Sequence, residues 1–176
     1  TDPLRMDLNY PWSSIEDVIA QSVRDYTQLP SAQGIVFARD FLAGQFSVER
    51  DDILLTPGTS ISYALLLKLL CDPGDSILVC EPTYPLVTHL AWLEGVQCIK
   101  TQMWYDGSWH LDMDAIRFLI HKHQPKAMVL VSPNNPTGSL LSQKESLELK
   151  RMCAHYQMAL IIDELFSPYV DKNSLH

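Results

Sequence analysis

Residues 127–163 read AMVLVSPNNPTGSLLSQKESLELKRMCAHYQMALIID, and this stretch decides the fold. It opens on an unbroken apolar run, Ala127–Val131, and closes on another, Ala159–Asp163, whose last residue is a carboxylate. Between them Ser142–Gln157 carries a helical apolar repeat, and Ser142 stands three residues before Glu145, the reciprocal capping pattern that starts a helix. Strand, helix, strand with nearly all-apolar strands means a parallel sheet whose two faces are both covered.

The same alternation continues upstream. Apolar runs at Ile53–Thr56, Ile77–Glu81 and Val96–Thr101 are separated by helical patterns at Ser60–Leu70, Leu86–Leu93 and Asp112–His121. Turn residues fall between them, as Asp72-Pro73-Gly74-Asp75 and as Asp106-Gly107 in a polar loop. The fold class is therefore α/β, a mostly parallel sheet of five strands with helices on both faces, occupying residues 51–176 as an incomplete large domain. Residues 1–50 read differently. Helical patterns at Ile15–Tyr26 and Val36–Phe46, joined by Thr27–Gly34, describe an N-terminal helical segment that packs on the sheet or on a partner chain.

Composition narrows the function. A chain of 176 residues that is 47% apolar and 19% charged is a packed globular protein, not a disordered one. Acidic residues outnumber basic ones 21 to 13, and the net charge of −8 repels a phosphate backbone, so no nucleic-acid partner is expected. No apolar run approaches the ~20 residues needed to cross a bilayer, so no membrane partner is expected either. The four cysteines, Cys71, Cys80, Cys98 and Cys153, lack paired spacing and read as reduced core thiols. With no secretory leader in view, the expected compartment is the cytoplasm. The histidines show no ligand spacing, His121-Lys122-His123 reads as a solvated helix end, and no metal is expected. A start at Thr1 and a polar tail over residues 171–176 suggest a piece of a longer chain.

In parallel sheets, ligands bind beyond the carboxyl ends of the strands. The first strand is followed by Pro57-Gly58-Thr59-Ser60, a glycine and two hydroxyls at a helix start, which suits an anion; the alternative is that Thr59 or Ser60 simply caps the helix. The second is followed by Pro82-Thr83-Tyr84-Pro85, where flanking prolines hold an aromatic ring that either stacks on a planar ligand or packs a turn. After Val131 comes Ser132-Pro133-Asn134-Asn135-Pro136-Thr137-Gly138, whose prolines leave few conformations open, make a cis bond plausible and leave two amides facing the site. Last, Ala159–Ile162 delivers Asp163 and Glu164 at a strand end, where a buried carboxylate needs a partner such as a cationic ring nitrogen; a helix cap or a surface ion pair is the plainer role. No G-x-G-x-x-G or G-x-x-x-x-G-K-[ST] is present, which argues against a nucleotide-binding domain.

In this order and spacing the stations, together with Asp72-Pro73-Gly74-Asp75, resemble the fold-type I pyridoxal-phosphate enzymes of the class I/II aminotransferase branch. The resemblance implies that Thr59 and Ser60 bind the phosphate of pyridoxal 5′-phosphate, that Tyr84 stacks on its ring, that Asn135 donates to the phenolic O3′, and that Asp163 pairs with the protonated ring nitrogen. It implies amino-group transfer from an amino acid to a 2-oxo acid, a place in amino-acid metabolism, and a homodimer. Tyr26 and Gly34 loosely match a tyrosine and a glycine of the family, at longer spacing, and Tyr26 is not assigned a role.

Two features depart from the pattern. Many relatives have a tyrosine where this chain has Phe166, so one hydrogen bond to O3′ is lost. The family's Schiff-base lysine lies well downstream, and neither Lys172, nine residues past Asp163, nor the helical Lys68, Lys144 and Lys150 matches it. By this reading the chain builds half of a cofactor pocket and holds no catalytic residue of its own. The alternative is a catalytically inactive, truncated or degenerate relative that serves as a binding or dimerisation module.

Overall fold

A computed structural model of the chain describes residues 31–170. The helical pattern at 15–26, Tyr26 and Lys172 lie outside the described residues. The chain divides into two compact units between Pro57 and Gly58.

In the first unit, α1 spans Val36–Phe46 and a short 3-10 turn spans Arg50–Asp52. Arg39 is 2% exposed, an unusual place for a guanidinium, and it is held by the Arg50 carbonyl at 2.7 Å and the Asp51 carboxylate at 3.0 Å. Gly34 adopts φ +104°, and a Cβ there would meet the Leu55 side chain at 2.7 Å, so no other residue fits. Ile53–Thr56, expected to be a sheet strand, is not one. The segment is extended, but its recorded backbone bonds, Ile53 N–H to the Arg50 carbonyl and Leu55 N–H to the Gln33 carbonyl, lie inside the first unit and form no ladder. The Ile53-Leu54-Leu55-Thr56 run before Pro57 has strand composition, but no strand forms on it among the described residues.

The second unit holds the sheet. Its strands β1 (Ser76–Glu81), β2 (Gln97–Gln102), β5 (Ala127–Val131) and β6 (Ala159–Asp163) are all parallel and lie in the order β2-β1-β5-β6. The sheet thus has four strands where five were expected. Helices α2 (Thr59–Leu70), α3 (Leu86–Leu93), α4 (Met113–His123) and α5 (Gln143–His155) flank it. Alternation along the strands divides them between two cores. Ile77, Val79, Ala127 and Val129 pack with Tyr63, Leu67, Val87 and Ala91 of α2 and α3. Leu78, Cys80, Met128 and Leu130 face the other way, onto Ile116, Ile120 and Leu149 of α4 and α5. Both faces are covered, as all-apolar parallel strands require.

The loop at Asp106-Gly107 is the tip of a small antiparallel hairpin, β3 (Trp104–Tyr105) with β4 (Trp109–His110), in which the Trp104 and His110 rings stack at 4.6 Å. The capping pattern at Ser142 forms in full: its hydroxyl accepts from the Glu145 N–H, and Glu145 Oε2 accepts from the Ser142 N–H at 2.9 Å. All four cysteines are free, and burial lifts the Cys80 thiol to about 12. Among the described residues, no helix is long and apolar enough to cross a membrane, and no cluster of three metal-ligating side chains forms.

Candidate functional site

The strand order places the site. From β1 the chain steps outward to β2, then crosses back to lay β5 and β6 on the other side of β1, so the winding reverses between β1 and β5. Loops leaving adjacent strands in opposite directions open a crevice at their carboxyl ends. A cleft of about 290 Å³ lies there, lined by Tyr63, Tyr84, Leu86, Val87, Val131, Asn135, Asp163, Leu165 and Phe166. Its walls are largely apolar, with one amide, one carboxylate and two phenols, the usual make-up of a small-molecule pocket.

Three of the sequence-derived candidates meet in this cleft. Tyr84 follows β1, is 51% exposed, and sits where Pro85 starts α3. Asn135 follows β5 and bonds to no other side chain among the described residues, leaving its amide available. Asp163 ends β6, opposite Val131 in the parallel register, and its carbonyl accepts from Ser132 N–H at 2.9 Å. Among the described residues no ion pair holds its carboxylate. Oδ2 accepts from the Tyr63 hydroxyl at 2.9 Å and Oδ1 from the Leu165 N–H at 3.0 Å.

Thr59 and Ser60 do not line the cleft. They are the first two residues of α2, and Tyr63, one turn further on, is the residue of that helix that does. The capping alternative for these hydroxyls is overturned: the N-cap is Gly58, at φ +106° and ψ 158°, a conformation essentially confined to glycine. Among the described residues, a Cβ at this glycine would touch nothing within 4 Å. The helix therefore begins on a glycine, with hydroxyl side chains at its first two positions.

The turn at 132–138 needs one correction. Its two amides do not both face the cleft. Asn134 is 7% exposed and structural: Nδ2 donates to the Pro82 carbonyl at 2.9 Å and to Thr137 Oγ1 at 2.8 Å, while Oδ1 accepts from the Thr83 hydroxyl at 3.2 Å. It ties the loop after β5 to the loop after β1 and so fixes the spacing of Asn135 and Tyr84. The Glu81–Pro82, Ser132–Pro133 and Asn135–Pro136 bonds are all cis.

Tyr63 is the residue that sequence reasoning missed. It is 5% exposed and packs in the core shared with β1 and β5, which is all that its helical spacing announces. Burial first, then the charge of Asp163 and the hydrogen bond to it, push its phenol far above the usual range. It stays protonated and can serve Asp163 only as a donor.

A larger, open groove of about 1040 Å³ runs between the β3–β4 hairpin and the start of α5. Three of its charges are already engaged with one another, Arg117 with Asp114 at 2.7 Å and with Glu148 at 2.6 Å. Size alone does not make it the site.

Comparison with known proteins gives the family. The family described as aminotransferase class I and II matches residues 11–175. Histidinol-phosphate aminotransferase of Buchnera aphidicola subsp. Schlechtendalia chinensis is 35% identical over 129 residues, covering 73% of this chain and 35% of that protein. An inactive alanine aminotransferase of Saccharomyces cerevisiae is 30% identical over 122 residues, covering 66% of this chain and 24% of that one. Among solved structures, alanine aminotransferase from Pyrococcus furiosus superimposes with a TM-score of 0.79 at 26% identity, over 94% of this chain and 43% of that chain. The chain thus spans less than half the length of these relatives. A match over nearly its whole length, with the same sheet beneath it, means that the chain belongs to the class I and II aminotransferase family.

Proposed function

We propose that this chain forms the cofactor-holding part of a pyridoxal-phosphate-dependent aminotransferase that moves an amino group from an amino acid to a 2-oxo acid. The observation that carries the reading is the single cleft in which Tyr84, Asn135 and Asp163 converge from three different strand ends. The donor set suits the cofactor: an aromatic face for a planar ring, an uncommitted amide for a phenolic oxygen, and a carboxylate without a cationic partner among the described residues for a ring N–H⁺. When bound, pyridoxal phosphate supplies an electron sink for the substrate's α-carbon.

The chain's own residues bind and orient. Asp163 would accept the hydrogen bond of the protonated ring nitrogen and hold that proton in place. Asn135 donates to O3′, and Tyr84 covers the ring. Thr59 and Ser60, at the start of α2, would take the phosphate, favoured by the helix dipole. Phe166 lines the same cleft without a hydroxyl to offer O3′. The whole enzyme works as a cytoplasmic homodimer on this reading; free thiols suit a reducing compartment, and exposed Phe37 and Phe41, one turn apart on α1, suit burial by a second copy.

The test uses the protein encoded by the complete gene. It should absorb in the visible, and borohydride should fix the cofactor onto a lysine. Asp163→Asn should lower turnover on the order of a hundredfold, matching ~3 kcal/mol of lost charge pairing, with an unchanged circular dichroism spectrum. Turnover equal to wild type would remove Asp163 from the site.

Two observations favour a second reading, that of a catalytically inactive relative acting as a binding or dimerisation module. Phe166 faces the cleft, and among the described residues no lysine lines it. A protein that stays colourless with added pyridoxal phosphate would establish this reading and end the first.

A further inference from the structure

We propose that Tyr63 is a positioning residue acting through Asp163: its hydroxyl sets the bearing of the carboxylate in the cleft and ties the helix that opens with Thr59 and Ser60 to the strand that delivers Asp163. The proposal rests on the reading of the cleft as a pyridoxal-phosphate site.

The geometry is specific. Each carboxylate oxygen of Asp163 has one donor, Oδ2 the Tyr63 phenol at 2.9 Å and Oδ1 the Leu165 N–H at 3.0 Å. Two donors from different elements fix rotation about the Cβ–Cγ bond, since turning the group breaks both bonds at once. Each oxygen keeps a further lone pair for a ligand. The phenol is buried and held protonated, so it cannot exchange its role for that of an acceptor.

Placement on α2 gives the contact a second consequence. Tyr63 is four residues past Thr59 and lies on the same face of the helix. One hydrogen bond therefore spaces the two ends of the ligand, the phosphate grip at the helix start and the ring-nitrogen partner at the strand end. Loss of the hydroxyl leaves the ring packing of Tyr63 intact and frees the carboxylate to turn.

The experiment is a double-mutant cycle on the protein encoded by the complete gene. The probe is pyridoxamine 5′-phosphate, which binds without a covalent bond to lysine. Its dissociation constant is measured by equilibrium dialysis, and the ¹⁵N resonance of its labelled ring nitrogen reports protonation. Tyr63→Phe should weaken binding about five- to tenfold and move the resonance toward the unprotonated position, with an unfolding midpoint near that of wild type. In an Asp163→Asn background the same change should add nothing. Equal losses in both backgrounds, or none in either, would overturn the proposal and leave Tyr63 a packing residue. Asp163→Asn without effect on affinity or resonance would instead overturn the cofactor reading. Should Tyr63→Phe fail to fold, 3-fluorotyrosine at position 63 keeps the shape and strengthens the donor. Tighter binding of the probe is then expected, and unaltered binding overturns the proposal.

Discussion

Adjacent amides in this chain have opposite duties. Asn134 spends both its donors and one acceptor site inside the protein, on Pro82, Thr137 and Thr83, and Asn135 spends none on another described side chain. Asn134→Ala should cost about 2–3 kcal/mol in urea unfolding, because it leaves a carbonyl and a hydroxyl without partners. Asn135→Ala should leave the unfolding midpoint within about 0.5 kcal/mol of wild type and weaken cofactor binding instead. Phe166 offers a gain-of-contact counterpart. Restoring a hydroxyl with Phe166→Tyr should lower the pH midpoint of the bound cofactor's visible band by adding a donor to O3′; an unmoved titration would place residue 166 off that oxygen. From sequence alone Asn134 and Asn135 are indistinguishable, since which of two neighbours faces inward depends on a turn whose partner loop is some 50 residues away. Tyr63 was illegible for the same reason at greater range: its partner lies 100 residues on, and its helical spacing reads as core, which it also is.

Elements were more legible than side-chain roles. The bounds of α1, α3, β5 and β6 coincide with the apolar runs and repeats that announce them, because local periodicity and burial act together there. The expected strand at 53–56 failed because composition records the taste for an extended backbone and says nothing about whether a neighbour exists. The two-residue strands of the hairpin are too short to carry a pattern. The capping box at α5 was readable, but the second duty of its glutamate was not. Besides Ser142, Glu145 accepts from the Leu111 N–H at 3.2 Å and so binds the start of α5 to the chain before α4. Glu145→Ala should therefore destabilise by about 2 kcal/mol, against about 1 kcal/mol for Ser142→Ala, both read from thermal unfolding. Equal losses would show that the Leu111 contact contributes nothing.

At the scale of the whole molecule, the sheet works as a partition between two cores, and the cleft sits on its carboxyl edge. Leu149 on one face and Leu67 on the other are each 1% exposed or less. Leu149→Ala and Leu67→Ala should each cost about 2–5 kcal/mol, with nearly additive losses in the double variant because the sheet separates them. Strong coupling between them would mean that the strands transmit strain from face to face.

The bond between Tyr63 and Asp163 also has a bearing on biosynthesis. During translation the phenol leaves the ribosome 100 residues ahead of the carboxylate it will serve. Until β6 docks beside β5, that phenol has no acceptor and the crevice lacks a wall. A nascent chain stalled before Ala159 has Tyr63, Tyr84 and Asn135 but not yet Asp163, and so should hold added pyridoxal phosphate more weakly than a chain released past Phe166, which has every described lining residue to offer. Among the described strands, β6 is the last that the cleft waits for.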